Sequence, residues 1–144
     1  MNAKKAPAGR LLGIDYGSKR VGIALSDESH TIAVPLAVIP NDRTLFREVR
    51  GFCESRGVSG IVMGDSKDAR GNDNPIMKEV HAFKAELERD LQLPVELEPE
   101  FFTSMQAAKV QGEHVLLDAS AAALILQSYL DRMKHAKAKK SSAR

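Results

Sequence analysis

The segment Gly13-Ile14-Asp15-Tyr16-Gly17-Ser18-Lys19-Arg20-Val21-Gly22 constrains this chain more than any other, because it sets one carboxylate between two apolar runs that both read as strands. Leu11, Leu12 and Ile14 form the first run and Val21 to Leu25 the second. The short turn at Gly17 joins them with hairpin geometry. Asp15 then stands near the end of a central strand, where a carboxylate is costly to desolvate unless a cation or hydrogen-bond donors meet it. Asp and Gly are also ordinary turn residues, so the segment alone leaves a structural and a chemical reading open.

At 144 residues the chain is expected to be one domain that buries roughly two-thirds of its unfolded surface. No apolar run approaches the ~18 residues of a membrane span, and Met1 to Arg10 lacks the apolar stretch of a secretion signal, so a cytoplasmic protein is expected. The single cysteine, Cys53, falls on the apolar side of a helical pattern and reads as a small core residue; a cysteine zinc site is excluded. His30, His81, His114 and His135 show no metal-ligand spacing.

The net charge of +2 hides an asymmetry. Residues 132–144 hold six Lys or Arg and residues 1–10 hold three, with no acid at either end, so the stretch between is acidic by 7. The expected organisation is a basic extension over 1–10, a domain over 11–133 and a basic, disordered tail over 134–144. Such a tail can also act as a flexible arm that finds phosphates.

Along the chain, Thr31 to Ile39 reads as a third strand, with Pro35 marking an edge or a bulge. From Thr44 the period becomes helical (Leu45, Val49, Phe52, Cys53) and stops at Gly57. Val58 to Met63 is a buried strand, 65–74 a polar loop, and Ile76, Val80, Phe83, Leu87 and Leu91 share one helical face after Pro75. Pro94 to Leu97 restarts a strand, and Met105, Ala107 and Ala108 suggest a further helix. Ala119, Ala122, Ala123, Leu126, Tyr129, Leu130 and Met133 form a stripe whose alanines allow close approach to a sheet, with Asp118 at the N-cap position. This order predicts an α/β fold: a five-stranded mixed sheet, three antiparallel strands then two parallel ones, flanked by helices.

On these residues the chain resembles the YqgF/RuvX family over roughly 11–132. Its members have a ribonuclease H-like fold and are described as Holliday-junction-resolvase-like, or as nucleases maturing the 5′ end of pre-16S ribosomal RNA. The resemblance is carried by Gly13 to Asp27, by Ile61-Val62-Met63-Gly64 followed by Gly71, and by Asp118-Ala119-Ser120-Ala121-Ala122 running into Leu124 to Leu130. The family's Asp-Glu-Arg motif and its two hydroxyl residues fall on Pro99-Glu100-Phe101 and on Thr103-Ser104, so proline replaces the aspartate and phenylalanine the arginine. The resemblance implies an acidic site of Asp15, Glu100 and Asp118 that binds Mg²⁺ or Mn²⁺, with nucleic acid as partner. Loss of the arginine removes a bidentate phosphate-binding group.

Three gathered carboxylates repel by about 4 kcal/mol per pair at ~4 Å and an effective dielectric near 20. Protons offset this by raised pKa values, or hard divalent cations do. Each acid also has a plainer reading: Asp118 as an N-cap, and Glu100 as part of a wet strand face with Glu96 and Glu98. Lys19, Arg20, Thr103 and Ser104 are the candidates for binding nucleic acid: Lys19 and Arg20 by phosphate contact, Thr103 and Ser104 by orienting a backbone phosphate or Glu100, with starting a helix as their plainer role. The resulting expectations are a metal-dependent nuclease, monomeric or homodimeric, maturing pre-16S rRNA in preference to resolving junctions. The competitors are an inactive nucleic-acid-binding module of the same fold and a sugar-kinase-like phosphate loop, for which the chain is too short.

Overall fold

The computed structural model describes residues 9–100 and 114–142, with side chains over 119–136 in the second segment. The elements are β1 (Arg10–Tyr16), β2 (Arg20–Ser26), β3 (Ala33–Pro40), α1 (Leu45–Arg56), β4 (Val58–Ser66), α2 (Met77–Leu91), β5 (Val95–Glu100) and α3 (His114–Ser142). One sheet runs in the order β3-β2-β1-β4-β5. β1 pairs antiparallel with β2, and β2 with β3, while β4 lies parallel to β1 and β5 parallel to β4. This is the mixed sheet that the succession of strand and helix periods predicts.

Alternation along the strands feeds two cores. Leu12, Ile14, Val21, Ile23 and Met63 pack under α1 and α2 with Val49, Val80 and Leu87. On the opposite face Leu11, Ala24 and Val62 pack against Ala122, Ile125, Leu126 and Leu130 of α3. The second interface is unusually close. A Cβ on Gly13 would lie 2.8 Å from Leu126 Cβ and 3.0 Å from the Ala122 carbonyl oxygen, so β1 has no side chain where the helix crosses it.

Local chemistry sets the boundaries. Leu36 is the extra residue where pairing jumps from Ile23↔Ala37 to Ala24↔Pro35, so Pro35 marks both a bulge and the sheet edge. Gly57 ends α1 at φ 65° with its N–H on the Cys53 carbonyl. Cys53 is buried, and burial pushes its thiol up to about 11, which keeps it protonated. In the β2–β3 connection Asp27 accepts from Thr31 N (2.7 Å), Thr31 Oγ1 (2.8 Å), Ser29 Oγ (2.9 Å) and Ile32 N (3.2 Å). These bonds, led by that from the Thr31 amide, hold its carboxyl far below the usual carboxylate range.

Several boundaries differ from the sequence reading: β3 begins at Ala33 rather than Thr31, α2 begins at Met77 rather than at Pro75, and β5 runs on past Leu97 to Glu100. β4 extends beyond Met63 to Ser66. α3 is already helical at His114, so Asp118 lies inside the helix rather than at its N-cap; polar residues 114 and 118 hid the first turn from the apolar stripe. The same helix continues through the basic segment to Ser142, where an irregular tail was expected after Met133. Ala and Lys have high helix propensity, so that segment is helical without an apolar stripe. The helix suggested by Met105, Ala107 and Ala108 lies outside the described residues.

Gly13→Ala should cost about 1–3 kcal/mol by forcing α3 off the sheet, read as a lowered denaturant midpoint. Because its folded pKa is depressed, the Asp27 carboxylate stabilises the fold above its ordinary pKa of 3.8 and loses that effect as pH falls below it. The difference in Tm between the parent and Asp27→Ala should therefore be full at neutral pH and shrink below 3.8.

Candidate active site

Asp15 shares the α3-facing side of β1 with Gly13 and is only 7% exposed. Its partner on β2 is Gly22, and on β4 the residue after the Ile14↔Met63 pair is Gly64. A carboxylate thus stands between two positions that carry no side chain. The room beside it is taken by a second carboxylate: a Cβ on Gly64 would meet Glu100 Oε2 at 3.1 Å, Glu100 Cδ at 3.3 Å and Ile125 Cδ1 at 2.9 Å. Asp15 on β1 and Glu100 on β5 thus both stand at the C-terminal ends of parallel strands, with Gly64 of β4 between them, the end where open α/β sheets bind ligands.

The third acid that the sequence suggests, Asp118, belongs to α3. Glu98 contacts Ser128 and Arg132, whereas Gly64, beside the later residue Glu100, meets Ile125. The helix descends as the strands ascend. Position 118 is one turn before Ala122, on the stripe that crosses Gly13, and so lies at the carboxylate end of the sheet. The Asp118 side chain, like Thr103 and Ser104, is outside the described residues.

The turn after Asp15 is tied down. Asn41 donates its amide to the Lys19 carbonyl at 2.9 Å and its Nδ2 to the Gly17 carbonyl at 2.7 Å. Lys19 is exposed, and Arg20 is half-buried at the start of β2.

Glu98 corrects the reading of Glu96, Glu98 and Glu100 as one wet face. It is 3% exposed, accepting from Ser128 Oγ at 2.8 Å and from Arg132 Nε at 3.1 Å and Nη2 at 2.5 Å. Arg132 also lies over the Tyr129 ring at 5.5 Å. This lock sets the register of α3 on β5 two residues before Glu100. The available signal was the i, i+4 spacing of Ser128 and Arg132, which places a hydroxyl and a guanidinium on one helical face.

The described residues contain no group of three or more His, Cys, Asp or Glu side chains set to hold a metal, and Asp118 falls outside that search. The two placed acids offer oxygen donors alone, in a cradle that a Cβ on Gly64 would fill. That donor chemistry fits a hard cation such as Mg²⁺ or Mn²⁺.

A mixed sheet of this order, covered on both faces and carrying an acid on its central strand, is the ribonuclease H-like fold. It is shared with the Fowlpox virus resolvase in its complex with Holliday junction DNA (TM-score 0.56, 12% identity, 86% of this chain and 98% of that one). It is shared equally with T. thermophilus RuvC bound to a Holliday junction substrate (TM-score 0.54, 15% identity, 87% and 96%). The family model RuvX, described as Holliday junction resolvase, matches residues 9–132, and the chain belongs to that family of nucleases. A protein of Chloroflexus aurantiacus named "Putative pre-16S rRNA nuclease" is 36% identical over 135 residues, covering 84% of this chain and 86% of that one. Proteins of the same name from Koribacter versatilis (32%; 92% and 93% covered) and Bordetella avium (33%; 88% and 98% covered) are also similar.

Arg132→Ala should cost about 1–3 kcal/mol by leaving the Glu98 carboxylate buried with Ser128 as its remaining partner. Adding Glu98→Gln to that variant should recover part of the loss, as measured by a double-mutant cycle on denaturant unfolding.

Proposed function

We propose that this protein is a cytoplasmic metal-dependent nuclease that hydrolyses a phosphodiester bond in structured nucleic acid, with the 5′ end of pre-16S rRNA as substrate. The observation that carries this is a nearly buried Asp15 between Gly22 and Gly64, with the Glu100 carboxylate laid over Gly64. In this reading Asp15, Glu100 and Asp118 hold Mg²⁺ or Mn²⁺. The bound cation supplies a nucleophilic water at neutral pH and stabilises phosphoryl charge. Asp15 and Glu100 are held on strand ends, so their oxygens are positioned before the substrate arrives and lose little freedom on binding. Lys19 and Arg20 meet phosphates beside the reacting bond, and Thr103 and Ser104 orient Glu100. Several relatives carry the rRNA name, which supports RNA over DNA.

The family description and the two junction-bound neighbours support a second reading, junction resolution. That reaction needs two sites acting on one four-way substrate, and hence a homodimer, whereas trimming an RNA end suits a monomer. The mass of the particle in solution and parallel assays on precursor rRNA and a four-way DNA junction separate the two.

Asp15→Asn should reduce Mn²⁺-dependent cleavage of precursor rRNA by about 10² or more, since one interaction with the catalytic ion is lost. The same variant should be more stable than the parent without metal. It should also lose the parent's metal-induced rise in stability, about 2.7 kcal/mol at a hundredfold excess of metal over its Kd. Undiminished cleavage by Asp15→Asn would overturn the assignment.

A further inference from the structure

Arginines at 43, 47 and 50 recur at spacings of four and three, which sets them along one side of α1 and its entry loop. All three are exposed, and none forms an ion pair among the described residues. On α2, by contrast, Lys84 is paired with Glu88 at 3.0 Å and Arg89 with Asp90 at 2.8 Å. Of the acids beside them, Glu48 and Glu54 on α1 form no ion pair among the described residues, and Asp42 is already engaged, accepting from Thr44 Oγ1 at 2.6 Å and Thr44 N at 2.8 Å. Those bonds lower its pKa, and Arg43 and Arg47 lie close enough to lower it further.

Two features point to an anionic ligand for these arginines. Arg43 and Arg47 stand at the N-terminal end of α1, where, with Glu48 the one acid of the first turn, they add to the partial positive charge of the helix, and a bound anion relieves such a placement. Arg50 is restrained by stacking over Phe46, 5.7 Å from the ring centre, so less freedom is lost when it binds. The row also has a defined origin. Asn41 bonds the Gly17 and Lys19 carbonyls, which fastens the loop leading to Arg43 onto the turn that follows Asp15.

We infer that Arg43, Arg47 and Arg50 form a second nucleic-acid surface, a phosphate track on the sheet face opposite to the Asp15 carboxylate, which holds the flank of the reacting strand where it passes around the turn after Asp15. The rise of 1.5 Å per residue separates Arg47 from Arg50 by about 5 Å along α1, and Arg43 lies in the loop just before the helix, so the three guanidinium groups can meet neighbouring phosphates of one strand. The track presents guanidinium groups suited to phosphate oxygens, so it contributes affinity and orientation without reading sequence. The identity of the ligand as nucleic acid rests on the nuclease reading above.

The test is fluorescence anisotropy with a labelled RNA hairpin carrying single-stranded flanks, titrated without divalent metal at several salt concentrations. Arg43→Gln/Arg47→Gln/Arg50→Gln should weaken binding at least tenfold and flatten the plot of log K against log salt by about 2–3, since each phosphate contact contributes roughly 0.7–0.9. The Lys-substituted triple variant, which keeps the charge, should retain most of the slope. A control that removes three cations from α2, Lys78→Gln/Lys84→Gln/Arg89→Gln, should leave the slope as in the parent. An unchanged slope in the first variant, or an equal loss in the α2 control, would overturn the track. Failure of the catalytic reading looks different: Asp15→Asn would then cleave at the parental rate whatever the salt slopes show.

Discussion

The seating of α3 on β1 is the contact on which the rest depends. Gly13 has no side chain, and the Leu126 side chain and the Ala122 backbone occupy the space one would need. Interiors are packed to crystal density, so a single methyl here has to be accommodated by moving the helix. Were α3 to stand off by that much, Ile125 would no longer reach Gly64, Ser128 and Arg132 would lose their reach to Glu98, and position 118 would be lifted from the carboxylate end. Small residues on the strands thus set the geometry of the site before any charged group acts.

Charge is arranged around that contact in two ways. Inside, Glu98 is neutralised by a guanidinium whose Nε and Nη2 both donate to Oε1 and by a hydroxyl that donates to Oε2, which makes its burial tolerable and turns it into a register device. Two residues on, the Glu100 carboxylate lies over Gly64, on the strand beside Asp15, and its oxygens are donors suited to a hard cation. Outside, the cations are set at the periphery: Lys19 on the hairpin turn, then arginines along α1.

Much of the fold was legible because it depends on local rules. The Gly17 hairpin, the bulge at Pro35, the stop at Gly57 and the alanine stripe of α3 all follow from φ/ψ preferences or from periodicity. The misreadings share one cause. A period of two marks which residues leave the first core, as Glu96, Glu98 and Glu100 do, but it cannot tell whether water or a helix covers the other face. For Glu98 the cover comes from Ser128 and Arg132, more than thirty residues away in the case of Arg132. Asp118 was placed at a cap because the apolar stripe begins after it, whereas helices begin where backbone bonding begins.

What the amino-acid sequence determined by itself is the set of elements, their order, and the presence of acids at 15, 100 and 118 on a chain of this family. Tertiary structure alone decided that the Glu100 carboxylate lies over Gly64, that Glu98 is spent on holding α3, and that the Asn41 loop before the arginines is fastened to the turn after Asp15. The division has a physical reason. Propensity and periodicity act over a few residues, whereas these juxtapositions arise from close packing between strands and a helix far apart in the chain, where a missing Cβ decides which side chains can meet.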